Sequence, residues 1–172
     1  MKVGHLPLSG IAAGMVKSTG LLGAVLAFLA TPVHGQEYRL IGPAPYCNAT
    51  VIEGPNPRGA SSSTQTMGAV ILIDRDVLAK MPFEFEFVLA HECGHHLLGH
   101  TSIEGMLRQE FQFRDKELAA DCWGARMLND AGEVDILTRQ LATFRTQGDA
   151  RSIPRYPTFR ERAERLHECI GR

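Results

Sequence analysis

Two histidines four residues apart, His91 and His95, with Glu92 directly after the first, leave this chain little structural freedom. In an α-helix, side chains four apart sit one turn above each other on the same face, so both imidazoles can reach one ion. At 3.6 residues per turn Glu92 projects about 100° round from His91, beside such an ion rather than beneath it. That is where a base acting on a metal-activated water belongs. The chain holds 7 His and 12 Glu, which gives about 0.02 accidental HExxH matches in its length. The motif is therefore a signal, and it sets a requirement: a second element must bring a third ligand to the same face.

Catalytic zinc takes three protein ligands and keeps an open position. His100 is the nearest candidate, but zincins with a third histidine place it six residues after the second, with glycine three after it. Here the spacings are five and four. On a continuous helix His100 would also point some 140° away from His95. His100 and His96 are therefore expected to cap the helix or hydrogen-bond at the surface. The segment ELAAD offers a better partner. Glu117 and Asp121 stand one turn apart on a second helix, one carboxylate to bind metal and the other to orient a ligand histidine. The alanines between them and the following Cys122-Trp123 indicate a buried helix, where unpaired carboxylates are costly and a cation is wanted.

Around these motifs the pattern is mixed α and β. Residues 36–66 are rich in Pro, Gly and Ser, and 56–66 (NPRGASSSTQT) reads as an exposed loop. Strands are expected at 46–54 and 68–74. Helices are expected from about residue 83 to Gly99, from about 114 to 129, and over 133–147. A last helix opens on a capping box, Thr158 with Glu161. The fold class is α+β, with helices packed on a small, mostly antiparallel sheet.

Residues 1–35 read as a signal peptide: Lys2 and Lys17 supply positive charge, Leu21–Ala30 is a short apolar run, and small residues precede Gln36. An apolar run of about ten residues falls short of the ~20 that span a bilayer, so no stable membrane span is expected after cleavage. Residues 36–172 then form a single domain, exported to a periplasmic or extracellular space. Of 18 basic and 19 acidic residues, cleavage removes two basic ones, leaving 16 − 19, about −3. Without a polybasic stripe, nucleic acid is not an expected partner. An even set of cysteines, Cys47, Cys93, Cys122 and Cys169, makes one or two disulfides plausible in an exported chain, with three full pairings open. No two cysteines have CxxC spacing, which argues against cysteine-bound zinc. Cys93 lies about 200° round from His91 and faces the core as a thiol or half of a disulfide. A disulfide at Cys122 would brace the Glu117 helix.

VLAHECGHHLLGH, followed by ELAADCWGARMLNDAG, resembles the HExxH and ExxxD helices of M48-like gluzincin metallopeptidases, and GAVILIDRDVL is similar to the edge strand and turn before the first of them. The likeness covers roughly residues 66–170. It implies a zincin-like fold in which an edge strand packs on the active-site helix, and one Zn2+ held by His91, His95 and Glu117 with Asp121 behind them. It also implies Glu92 as general base for hydrolysis of a protein or peptide substrate. The family's free strand edge, which holds the peptide, would fall on 68–74. YPTFRERAERL resembles a family segment in which His-Pro precedes an arginine five residues on. Pro157 and Arg162 keep that spacing, but Tyr156 replaces the histidine, a phenol able to donate to a developing oxyanion. Arg162 would serve the site through a carboxylate or carbonyl. The competing reading is a zinc-stabilised binding or chaperone-like envelope module without catalysis. Glu92 argues against it, since a structural site has no use for an uncoordinated carboxylate and closes with four protein ligands.

Overall fold

Four strands, β1 (Arg39–Pro43), β2 (Thr50–Glu53), β3 (Ala60–Gln65) and β4 (Gly68–Ile73), form one sheet in the order β1-β2-β4-β3. The computed structural model describes residues 37–65, 68–102 and 109–171; the expected leader, 1–35, lies outside the described residues. β1 runs antiparallel to β2, and β3 antiparallel to β4, whereas β2 and β4 are parallel. The sheet is thus mixed, a coarser match to the mostly antiparallel expectation.

Two expectations about the strands need correcting. The serine-rich stretch expected as a loop within 56–66 is largely strand β3, paired with β4 from Ala60↔Ile73 to Gln65↔Gly68. Serine has little strand preference of its own, so this strand exists because β4 offers it a ladder. Its polar composition also suits an edge. The second correction follows from the first: β4 has neighbours on both sides and presents no free edge. The edge nearest the HExxH helix belongs to β3.

After a single turn, α1 (Arg75–Leu78), capped by the Asp74 side chain on Val77 N, the chain enters α2 (Phe85–Leu97), then α3 (Gln109–Asp130), α4 (Val134–Gln147) and α5 (Phe159–Ile170). Every residue of α2 from Phe87 to Gly94 is buried, because the helix lies between two cores. Val88, Leu89 and Cys93 pack with Val51, Ile71 and Ile73 of the sheet. Phe87 and Ala90 face the other way, into Leu128, Leu137, Phe144, Phe159 and Leu166 of the following helices. A helix covered on all sides has no amphipathic stripe. α3 is interrupted at Gln112, which has non-helical φ −128 and ψ 15. α5 starts with the expected capping box: Thr158 Oγ1 accepts from Glu161 N, and Glu161 accepts from Thr158 N.

The crossing of α2 and α3 sets the site. A Cβ on Gly94 would stand 3.1 Å from Ala120 O, and one on Gly124 would stand 3.0 Å from His91 N. Each helix therefore contributes a glycine where the other's backbone approaches. Each also carries a disulfide, Cys47–Cys93 on α2 and Cys122–Cys169 joining α3 to α5. Two disulfides suggest an oxidising environment. No described helix is long and apolar enough to cross a membrane.

Candidate metal centre

The α2–α3 crossing brings His91, His95 and Glu117 together, with one ligand atom of each inside a 4.8 Å cluster. His91 Nε2 lies 3.1 Å from His95 Nε2 and 3.3 Å from Glu117 Oε2, and His95 Nε2 lies 3.4 Å from Glu117 Oε1. His91 and Glu117 are buried, and His95 is half-buried.

Asp121 is wholly buried, and its Oδ1 is 2.9 Å from His91 Nδ1. Arg162, on α5, donates to the same carboxylate through Nε (2.8 Å to Oδ2) and Nη2 (2.6 Å to Oδ1). Its guanidinium lies over the rings of Phe144 and Phe83, at 4.7 and 5.0 Å. Burial alone would raise the Asp121 pKa, but Arg162 and the His91 hydrogen bond outweigh it and hold the group at about 2. An ionised carboxylate only accepts, so His91 Nδ1 is the donor and a neutral His91 turns its Nε2 lone pair toward His95 and Glu117.

The electrostatics call for a cation at that point. Burial disfavours a charged His91, yet the hydrogen bonds and charges of Asp121 and Glu117 prevail and lift its pKa to about 10. His95 moves the other way, far below the usual imidazole value, through burial and then the charges of His91 and His100. A neutral imidazole is the form that ligates metal. Without metal the cation among these donors is the proton on His91; once it is displaced, two nitrogen lone pairs and a carboxylate converge in a buried space and repel unless another cation lies among them, so the donor set fits a divalent ion.

His100 is not where helical extrapolation puts it. α2 ends at Leu97, and Gly99, at φ 72, takes a left-handed turn that folds the chain back. The imidazole of His100 then meets His95, Nδ1 to Nδ1, at 3.0 Å. His91 and His95 are therefore both held from behind, one by Asp121 and the other by His100. His96 ties the helix to the sheet, with Nε2 3.1 Å from Val70 O and Nδ1 3.1 Å from Thr101 Oγ1.

Glu92 is buried beside the cluster, near enough to Ser62 on β3 for the polar groups of that residue to act on its carboxylate. Burial raises its pKa, with Glu117 adding to the effect and His91 and Ser62 opposing it. Such a carboxylate is poised to take up a proton. Tyr156 stacks edge-on against Phe113, with centroids 4.9 Å apart. Burial, then the charges of Glu117 and Glu92, raise its pKa and keep the phenol protonated. All the titratable groups above except Asp121 and His96 line one cleft of about 180 Å³, bounded on one side by Ala60–Ser63 of β3.

The residues singled out from sequence thus converge: His91, His95 and Glu117 as possible ligands, Glu92 beside them, Asp121 behind His91, and Tyr156 on the cleft wall. Arg162 reaches the cluster through Asp121 and is a positioning residue. Sequence reasoning missed Ser62 and the contact of His100 with His95. Gly99 was the available clue to the latter, as a glycine that ends a helix also reverses the chain. Set against known proteins, the chain matches no family model, no curated protein and no solved structure.

Proposed function

We propose that this protein is an exported zinc-dependent endopeptidase with the chemistry of the M48-like gluzincins. The observation that carries the reading is the convergence of His91 Nε2, His95 Nε2 and the Glu117 carboxylate: the two nitrogens are 3.1 Å apart, Oε2 faces His91 at 3.3 Å and Oε1 faces His95 at 3.4 Å, and one ligand atom from each residue lies within 4.8 Å of the other two. A tetrahedral zinc site with bonds of 2.0–2.1 Å has ligand–ligand edges of about 3.3–3.4 Å. Two histidines and one glutamate are also a ligand set of catalytic zinc.

His91, His95 and Glu117 would hold the ion, which when bound supplies Lewis-acid activation of water and of the scissile carbonyl. Glu92 takes the proton from the attacking water and passes one to the leaving amine, and its raised pKa suits both tasks. The Tyr156 phenol donates to the oxygen that gains charge as the carbonyl is attacked. Asp121, itself held by Arg162, fixes the His91 tautomer and ring orientation. β3 is the sheet edge along which an extended peptide would add as a strand.

The test is hydrolysis of casein or another unfolded protein, with and without chelator, by wild type and Glu92→Gln. Hydrolysis is expected to depend on zinc and to fall by about 10² to 10⁴ in the variant, while zinc content stays near one per chain. Zinc binding without Glu92-dependent cleavage would point instead to the non-catalytic binding module.

A further inference from the structure

Among the described residues, the cleft lining combines buried carboxylates with an exposed cation. Glu92 and Glu117 are the carboxylates in its lining, and both are buried within the cluster. Arg162 is buried against Asp121. Among the described residues, the exposed charged side chain of the lining is Arg58. No carboxylate pairs with Arg58 among the described residues. Its charge is close enough to Tyr156 to act on the phenol.

Arg58 is also held in place by its backbone. It sits in the turn that leads into β3, and that turn is built round Asn56, buried at 5% exposure. Asn56 Oδ1 accepts from Arg58 N (3.1 Å), and Nδ2 donates to Ser61 Oγ and Leu72 O (3.0 Å each). Asn56 N donates to Asp74 Oδ2 at 3.1 Å, and its carbonyl accepts from Gly59 N at 2.8 Å. Gly59, at φ 82, then accepts at its own carbonyl from Asp74 N. A turn anchored this way fixes the Cα from which Arg58 reaches into the cleft, so its backbone has little ordering entropy left to lose on binding.

We propose that Arg58 is a specificity residue that grips a carboxylate of the peptide substrate, so that the cleft selects chains carrying an acidic side chain or a free C-terminus near the scissile bond. A guanidinium offers two parallel donors to a carboxylate, a match that an amide of the same shape does not reproduce. The proposal rests on the peptidase reading, and the experiment separates the two.

Fluorogenic peptides are made in matched pairs, Glu against Gln on either side of the cleaved bond, each with a free or an amidated C-terminus. Wild type is expected to favour the carboxylate-bearing member by about tenfold in kcat/KM, and Arg58→Gln to bring that ratio close to one. A preference confined to free-acid peptides assigns the carboxylate to the chain terminus, and one that survives amidation assigns it to the side chain. The same labelled peptides are titrated by fluorescence anisotropy against zinc-loaded Glu92→Gln and the Glu92→Gln/Arg58→Gln double variant, which needs no turnover. If no peptide is cut in a Glu92-dependent way, the peptidase reading fails and binding alone decides the role of Arg58. Equal selectivity with and without Arg58, or no carboxylate preference in either measurement, overturns the proposal.

Discussion

His95 and His100 face each other through their Nδ1 atoms at 3.0 Å, with ring centroids 5.1 Å apart. For His95 Nε2 to offer a lone pair to a metal, its Nδ1 must carry the proton and donate it to His100. Partners that fix a ligand histidine in this way are typically worth 10- to 100-fold in metal affinity. His100→Ala is accordingly expected to weaken zinc binding by that factor in a competition titration against a chromophoric chelator. His100→Gln, whose amide oxygen can still accept, is expected to recover part of it. Unchanged affinity in the alanine variant would show that the contact does not orient His95.

The other ligand histidine depends on a longer chain, Arg162 to Asp121 to His91. Arg162 and Asp121 are both buried, and removing one partner of a buried ion pair leaves an uncompensated charge worth about 3–5 kcal/mol. Arg162→Met is expected to destabilise the fold by that amount in urea unfolding. The double change Arg162→Met/Asp121→Leu is expected to cost much less in stability, yet to weaken zinc binding because nothing then holds His91. A single-variant cost below about 1 kcal/mol would mean that Asp121 becomes protonated without difficulty.

How much of this could be read from sequence depended on whether a feature was local. The HExxH helix, the Glu117–Asp121 helix and the Thr158 capping box announce themselves through spacing within one element, and each lies where it was expected. β3 was hidden because a run of serines and threonines signals a loop, and only the ladder offered by β4 makes it a strand. The same long-range pairing moved β4 from edge to interior. The pairings Cys47–Cys93 and Cys122–Cys169 were beyond reach for a related reason. They depend on α2 turning Cys93 to the sheet while α3 turns Cys122 to α5, and no spacing encodes which elements become neighbours. His100 was misplaced by extending helical geometry past Gly99, whose left-handed turn ends it.

Gly124 offers a way to disturb the metal site without touching a ligand. An added Cβ would stand 3.0 Å from His91 N and 3.3 Å from His91 Cα, backbone atoms that can move only if the helices part. Overpacking of this kind costs about 1–3 kcal/mol, and it shifts Glu117 relative to His91 and His95. Gly124→Ala is expected to lower both thermal stability and zinc affinity. Gly132→Ala is the control: with φ 78 and open space around it, it is expected to lose stability through backbone strain while zinc affinity stays at the wild-type value. Parallel losses of affinity in the two variants would show that general destabilisation, rather than the helix crossing, governs the site.

Acid sensitivity is expected to have a separable contribution from Glu161, away from the metal cluster. The Arg114 hydrogen bond and then the backbone N–H of Thr158 lower its pKa from 4.5 to about 2. A carboxylate whose pKa is lower folded than unfolded binds fewer protons in the native state, so it stabilises the fold above the unfolded value. That contribution is complete above pH 4.5 and disappears as the pH falls toward 2. Glu161→Gln removes the titration while keeping a side chain that can still cap α5. In chelator-treated protein, where metal release adds nothing, the stability gap between wild type and Glu161→Gln is expected to be constant above about pH 5 and to close between 4.5 and 2. Chemical denaturation at a series of pH values measures it. A gap that stays open to pH 2, or never exists at neutral pH, would show that the Arg114–Glu161 pair and its cap do not stabilise the start of α5.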